Sequence, residues 1–408
     1  MSTPGALHGL KVLELGTLIA GPFCTRLLAE FGAEVIKIES PEGDPIRQWR
    51  VLHEGNSLWW SVQSRNKKSV AVNMKDARGR DLVRRLALEA DVIVENYRPG
   101  VLEKWGLGPA ELIRERPSLV FVRLSGYGQT GPMKDLPGFG AVGESMGGMR
   151  YVSGHPDRPP VRIGISIGDS LAALHGAFGA MVALRHRDAT GGKACGQGQV
   201  VDVALYEAVF NMMESLVPEY DLAGVVRERT GGALPGIVPS NTYTCGDGAN
   251  VVIAGNGDAI FKRLMLAMGR DDLAHDAGLA TNDGRVPRTA EIDAAIGAWT
   301  VARGIDEVLT TLKAADVPVS KIYSVADMFA DPQFLARRMI EQHRLADGTP
   351  IKLPAVTPKL SVTPGGTQWL GPRLGEHTRD VLGALGLSEG EMGTLFAEGV
   401  VVEKPAPG

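Results

Sequence analysis

Asp169 occupies the position in this chain best suited to covalent chemistry. It sits in Gly168-Asp-Ser170, ahead of a segment in which Leu171, Leu174, Phe178 and Val182 recur at helical spacing. A second stripe of Ala172, Gly176, Ala177 and Ala180 is small enough for close packing. An aspartate at a helix start ordinarily serves as an N-cap. The helix dipole and free backbone N–H groups also keep such a carboxylate ionised, and the flanking glycine admits a reacting carbon closely. Those conditions suit a carboxylate nucleophile. The local sequence leaves both roles open.

Other constellations are weaker. Gly126, Gly128 and Gly131, and again Gly138, Gly140 and Gly143, match the spacing GxGxxG. A dinucleotide fingerprint belongs at the first βα turn, which here reads Gly16-Thr-Leu-Ile-Ala-Gly21 and lacks it, although Glu39 ends the second strand where a ribose-binding acid could sit. In a chain with 52 glycines the spacing reads as chance, and a nicotinamide enzyme is a runner-up. Arg65-Asn-Lys-Lys68, followed by Lys75, Arg98 and Lys104, is either a solvated run or a set of phosphate contacts at strand ends. No HExxH metal spacing and no GxSxG nucleophile elbow occurs. His377 reads as structural and Glu144 as a helix charge.

Residues 10–39 read as strand, Gly/Pro turn, helix and strand, a βαβ unit. Further strands are expected at 69–72, 91–94 and 119–124, separated by charged helical stretches such as 77–89, which predicts an α/β fold with a parallel, doubly wound sheet. A helical stretch is expected at 201–214. Beyond residue 224 a strand at 250–254 and helices at 292–302 and 305–314 suggest a smaller α/β module ending near Met339. The Pro/Gly-rich tail, 354–387, is expected to return to the first domain. The predicted organisation is a large domain of residues 1–220 completed by 340–408, with a small domain of residues 225–339.

Composition sets limits. The chain has 408 residues, 44% apolar and 22% charged, which fits two globular domains. A formal net charge of −4 gives no general attraction to nucleic acid or an anionic membrane, so a polyanionic ligand needs a local basic cluster. Cys24, Cys195 and Cys245 form no CxxC pair, which argues against a zinc site and suits a reducing cytoplasm. Residues 1–10 lack the basic and apolar regions of a secretion signal, and no apolar run approaches the roughly 18 residues of a membrane span. The expectation is a soluble cytoplasmic protein.

Taken in order, LKVLELGTLIAGP, GAEVIKIESPEGDPIR, RNKKSVAVNMK, ADVIVENYRPGVLEKWGL, SGYGQTGP, the GDS at 168–170, DPQFLARRM and LGEHT resemble the class III CoA-transferases, of the formyl-CoA and carnitine CoA-transferase type, across nearly the whole chain. The resemblance implies that Asp169 is the covalent nucleophile. It places CoA contacts on Ile19 and Ala20, on Val72, Asn73, Met74 and Lys75, on Asn96, Tyr97 and Arg98, and on Lys104. Lys104 stands where the formyl-CoA enzyme has arginine, which keeps the charge and loses the bidentate fork. It implies a Rossmann-like large domain, a smaller inserted domain and an interlinked homodimer. Coenzyme A and acyl-CoA enter as substrates, with no metal or permanently bound cofactor, and loops near 126–131 and 255–257 supply donors and a lid.

The departures are informative. The α-methylacyl-CoA racemases carry a proton-transferring histidine where this chain has Phe139, in Pro137-Gly-Phe-Gly140. The formyl-CoA/oxalate branch has a glutamine in place of Ile19, a glutamate in place of Gly140, and a polyglycine loop where this chain reads Ala254-Gly-Asn-Gly-Asp258. Racemisation and oxalate chemistry are the alternatives. Gly236-Ile-Val-Pro-Ser-Asn-Thr-Tyr243 and Val251-Val-Ile-Ala-Gly-Asn256 look closer to the succinyl-CoA-dependent branch, whose acids include malate, citramalate, itaconate, glutarate and hydroxymethylglutarate.

Overall fold

Val12, Val35, Val92 and Val120 stand side by side in register across four strands, and all four are buried. Strands rich in such residues on both faces form the interior of a parallel sheet. In the computed structural model, which describes residues 4–404, these strands are β1 (Lys11–Glu14), β2 (Glu34–Glu39), β3 (Lys67–Val72), β4 (Val92–Glu95), β5 (Val120–Ser125) and β6 (Val200–Ala204). They run parallel in the order β3-β2-β1-β4-β5-β6, and the terminal strand Val401–Val402 adds antiparallel to β3 to complete seven. Met1–Thr3 and Pro405–Gly408, inside the expected bounds of the large domain, lie outside the described residues.

The expected helix at 201–214 is in part a strand. Its β-branched start, Val200-Val-Asp-Val203, pairs with β5, and only Leu205–Phe210 is helical.

The chain divides into two compact units, one of Met1–Met149, Ile163–Glu214 and Ala336–Gly408, the other of Arg150–Arg162 and Ser215–Leu335. In the second, strands Ser240–Thr244, Asn250–Ala254 and Val319–Lys321 form an antiparallel sheet, and Tyr243, Val251, Ile253, Leu264, Ile296 and Val308 build its core.

In the first unit, helix α1 (Ala20–Glu30) and the long helix Ile167–Ala189 pack on one face of the sheet, while Ala77–Glu89 and Thr378–Ala384 cover the other. Ile167–Ala189 buries its small stripe: Cys24, Val122 and Leu124 lie so near Gly176 that a Cβ there would be 3.0–3.3 Å from them. Of the larger stripe Leu171 joins the core, while Leu174, Phe178 and Val182 face outward, with Phe178 70% exposed. By length and apolar composition this helix could cross a membrane, contrary to the expectation that no run approaches such a span; half of its apolar window is buried against the rest of the protein.

The basic run 65–68 does not offer its charges to a phosphate. Arg65 is fully buried against Glu30 and donates to the Pro354 carbonyl at 2.8 Å, Asn66 donates to the Gly366 carbonyl at 2.7 Å, and Lys67 is fully buried on Glu14. Lys68 pairs with Glu34. The run lies at the amino end of β3, where acids on neighbouring elements neutralise it and the returning tail binds it. Trp60, stacked on Arg47 at 3.6 Å, holds the same tail by donating to the Pro372 carbonyl.

Beneath the first βα turn lies a buried charge cluster. The Lys37 ammonium reaches Glu14 at 2.7 Å, Asp44 at 2.9 Å and the Gly16 carbonyl at 2.8 Å. Lys67 reaches the other Glu14 oxygen at 2.8 Å and the Pro22 carbonyl at 2.7 Å. Burial alone would raise the Glu14 carboxyl, but the two ammonium groups overcome it and hold it at about 2. Since this lies below the ordinary 4.5, the contribution to stability is complete above about pH 4.5 and is lost as pH falls toward 2. Glu14→Gln leaves two buried cations short of a partner and is expected to cost about 3–5 kcal/mol. Urea unfolding at pH 7 measures this, and a variant within 1 kcal/mol of wild type would contradict it.

Candidate active site

The carboxyl ends of parallel strands are where open α/β sheets present ligand-binding turns. After β1 the chain turns through Gly16–Gly21, so tightly that a Cβ on Gly16 would stand 3.0 Å from Gly21 Cα and 3.1 Å from Asn96 Oδ1. Leu18 takes a positive φ of 63°. The turn is held from outside itself: the Thr17 N–H donates to Asn96 Oδ1 at 2.8 Å, Asn96 donates back to the Thr17 carbonyl, and the Leu18 N–H donates to Asp44 at 3.1 Å. Ile19 and Ala20 have buried side chains, so what they present to a ligand is backbone at the start of α1.

Val72 ends β3 with its side chain in the core; Asn73 and Met74 are half-buried, and Lys75 is exposed. Asn73 organises this turn by accepting from the Lys75 N–H at 3.1 Å. After β4, Asn96 is committed to the first turn, Tyr97 packs edge-on against Trp105 at 5.5 Å, and Arg98 is exposed. Lys104 is exposed at the end of the short helix Val101–Lys104. Lys75, Arg98 and Lys104 therefore stand on one edge of the sheet, and among the described residues their side chains make no hydrogen bond or ion pair.

Arg123, on β5, ties the segment after β4 together. It donates to Glu95 at 2.7 Å and to Glu103 at 2.7 Å, while Glu95 accepts the Tyr97 N–H at 2.7 Å. Burial pushes the Glu95 carboxyl up to about 7, against the opposing pull of Arg123. Glu39 is equally absorbed: it is buried, bound to Arg47 through two 2.7 Å contacts and to Ser69, so it cannot serve as a ribose-binding acid. His377 accepts the Ser69 N–H on Nδ1 at 3.2 Å, a structural role.

Asp169 is not the N-cap. Ser166 holds that position, and Asp169 lies in the first turn of Ile167–Ala189, half-buried. A chain of side-chain-free contacts carries it to the same sheet edge. Gly126, just past β5, meets Gly138 so closely that a Cβ on it would stand 2.8 Å from Gly138 Cα. Two residues on, Gly140 opens helix α2 (Gly140–Met146), and a Cβ there would stand 2.0 Å from Asp169 Oδ2. Gly143 and Gly147 bring the same segment against Leu205 and Val209. Of the glycines that read as chance spacing, Gly126, Gly138, Gly140 and Gly143 are contact residues, and the recurrence of glycine at 140, 143 and 147, with helical period, is the signal that could have identified the helical ones.

Glu144 is not a solvated helix charge. It is buried, and the Gly168 N–H points to its Oε1 at 3.5 Å, at the outer limit of a hydrogen bond. The loop 126–131 does not have all its amides to spare: the Gly128 N–H donates to Ser125 at 3.1 Å and the Gln129 N–H to Asp202 at 3.0 Å. In the second unit the Gly255 N–H donates to the Pro239 carbonyl. Phe139 is 69% exposed and has no group that can move a proton. Among the described residues no three His, Cys, Asp or Glu side chains converge as a metal site.

The edge therefore combines a half-buried carboxylate, neighbouring backbone without side chains, and three exposed cations. A sequence model of CoA-transferase family III matches residues 7–378. The chain is 49% identical over 401 residues to the succinyl-CoA–D-citramalate CoA-transferase of Chloroflexus aurantiacus, covering 98% of each chain. It is 38% identical over 401 residues to the succinyl-CoA–L-malate CoA-transferase beta subunit of that organism, covering 97% of this chain and 98% of the other. A solved CAIB/BAIF family protein from Brucella suis superposes with a TM-score of 0.82 at 34% identity, over 94% of this chain and 100% of that one.

Arg123→Met leaves Glu95 buried without its cation. Because the folded Glu95 carboxyl lies above its ordinary 4.5, this group's contribution to stability falls as pH rises toward 7, and losing Arg123 extends that fall to higher pH. The variant's penalty is expected to be larger at pH 8, about 3–5 kcal/mol, than at pH 5.5, where Glu95 takes up a proton. Urea midpoints at the two pH values measure it; a penalty independent of pH would contradict the assignment.

Proposed function

The chain belongs to CoA-transferase family III and is a CoA-transferase, and on that premise we propose that it moves CoA from succinyl-CoA to a dicarboxylic acid through a covalent aspartyl-CoA intermediate at Asp169. The observation that carries the substrate reading is the 49% identity, over nearly both full chains, to an enzyme named for succinyl-CoA and D-citramalate. D-Citramalate is accordingly the first acceptor, with L-malate next.

In this mechanism an Asp169 oxygen attacks the succinyl thioester carbon. The C–S bond breaks, giving a succinyl-aspartyl anhydride and CoA thiolate. The thiolate attacks the Asp169 carboxyl carbon and expels succinate, leaving the aspartyl-CoA thioester. The acceptor carboxylate attacks that carbon and expels the thiolate again, and the thiolate then attacks the acceptor's acyl carbon, freeing Asp169. One thioester is consumed and one is made, so water must be kept out throughout.

The site supports this in three ways. First-turn placement favours an ionised carboxylate. Gly140 and Gly168 leave the approach to it free of side chains. Lys75, Arg98 and Lys104 are placed to meet phosphates, with backbone at Ile19, Ala20, Val72, Asn73, Met74, Asn96 and Tyr97 lining the same edge. The exposed Leu174, Phe178 and Val182 favour a homodimer that covers them.

Mixing the protein with succinyl-CoA, quenching with hydroxylamine or borohydride and measuring intact mass is expected to modify Asp169, and Asp169→Ala is expected to remain unmodified. CoA binding with no adduct would exclude the covalent route. Alanine at Lys75, Arg98 or Lys104 is expected to raise KM for succinyl-CoA about tenfold each, about 1.4 kcal/mol, with kcat nearly unchanged. Steady-state kinetics at fixed ionic strength separates the two parameters.

A further inference from the structure

We propose that Glu103 is a positioning residue for CoA: bound to Arg123, it sets where Arg98 and Lys104 stand, so that an acid strengthens the binding of a polyanion. The inference rests on the reading of Arg98 and Lys104 as phosphate contacts. Charge alone gives the opposite expectation. Glu103 directly precedes Lys104, its side chain is 38% exposed, and a negative charge beside a phosphate site repels the ligand. Burial would raise its carboxyl, but hydrogen bonds from Arg123 and from backbone N–H groups outweigh that and hold it below its ordinary value. The charge is therefore present at neutral pH, and electrostatic attraction of phosphates has no use for it.

Its use is mechanical. Glu95 and Arg123 are register partners on β4 and β5. Arg123 Nε donates to Glu95 Oε1 at 2.7 Å, and the other end of the guanidinium forks onto Glu103, at 2.7 Å to Oε1 and 3.4 Å to Oε2. One buried cation thus holds both ends of residues 95–103. Between those ends the backbone has little slack. Glu95 accepts the Tyr97 N–H at 2.7 Å, the Val101 N–H donates to the Arg98 carbonyl at 3.2 Å, and the Lys104 N–H donates to the Gly100 carbonyl at 3.2 Å. Leu102 is fully buried, and a Cβ on Gly108 would stand 2.9 Å from Glu103 Cγ, so the stem of Glu103 is packed as well.

Arg98 lies inside this bracket and Lys104 at its end. Their side chains are exposed and can reach for a ligand, but the backbone from which each one reaches is fixed before the ligand arrives, which lowers the ordering cost of binding. Without Glu103, the helix Val101–Lys104 loses its tie to β5. A helix of one turn is unstable by itself, so the spacing of the two cations loosens.

The test is calorimetric titration of CoA, at fixed ionic strength, into wild type, Glu103→Ala, Glu103→Gln, Arg98→Ala, Lys104→Ala and the double variant Glu103→Ala/Lys104→Ala. Glu103→Ala is expected to raise Kd about fivefold, with Tm within about 4 °C of wild type because Arg123 keeps Glu95. Glu103→Gln, which retains an acceptor for Arg123, is expected to raise Kd about twofold. In the Lys104→Ala background the effect of Glu103→Ala is expected to fall below about twofold, because a cation that it positions is absent. A merely structural loss would be the same in both backgrounds. Unchanged or tighter CoA binding by either Glu103 variant, as charge alone predicts, would overturn the proposal, and so would full additivity with Lys104→Ala. Should Glu103→Ala not fold, the sign of the Glu103→Gln effect decides. If Arg98→Ala and Lys104→Ala bind CoA as wild type does, the phosphate reading fails and this inference falls with it; weaker binding by those two with unimpaired Glu103 variants removes the positioning role alone.

Discussion

The Glu14 carboxylate is the point on which the ligand edge of the sheet depends. It sits at the end of the central strand β1, fully buried, with an ammonium group from β2 on one oxygen and another from β3 on the other. Each of those lysines also donates to a carbonyl in or just beyond the first turn, Lys37 to Gly16 and Lys67 to Pro22. Three adjacent strands thereby grip one loop from below. Hydrophobic side chains of similar volume could stabilise such a site equally well or better. They could not satisfy the carbonyls of Gly16 and Pro22, nor replace Asp44 as acceptor for the Leu18 N–H. A loop with Leu18 at positive φ needs those partners to keep a single shape.

The same economy recurs along the edge. Asn96 binds the first turn through both ends of its amide, so the segment after β4 is fixed to the segment after β1. Arg123 then fixes the far end of that segment through Glu95 and Glu103. The buried cations are consumed in holding loops in place, and Lys75, Arg98 and Lys104 remain on the surface. A positive charge offered to a phosphate must be accessible, whereas one that shapes a loop must be satisfied by protein. On the proposed function, different residues take the two tasks.

This division explains what could be read from the sequence and what could not. The βαβ start, the parallel strands near 69–72, 91–94 and 119–124, the helix after Gly168 and the returning tail were legible because each has its own pattern of apolar residues and glycine. Strand pairing at 200–204 was not, because Val200-Val-Asp-Val203 runs directly into a helix and only its partner β5 decides its state. Arg65 and Lys67 looked like ligand-binding cations because sequence gives charge without burial; their partners, Glu30 and Glu14, are 35 and 53 residues away. Glu144 misled for the same reason. The glycines at 126 and 138 carried no dinucleotide geometry, and what they do is visible only once two distant backbone segments are seen in contact.

On the proposed function Asp169 is a carboxylate nucleophile, and such a group makes opposing demands on its surroundings. It must be held firmly enough to meet a thioester carbon, yet without bulky neighbours that would block a substrate carrying a long cofactor arm. Contact with bare backbone provides both, since glycine Cα atoms limit where the carboxylate can lie while adding no bulk. The required precision must then come from the scaffold behind that backbone, which here is α2 set tightly between the start of Ile167–Ala189 and the helix Leu205–Phe210. Close helix approach through glycine costs conformational entropy relative to alanine, about 0.5–1 kcal/mol at each helical position. That cost is small beside the rate lost when a reacting group is misplaced by an ångström.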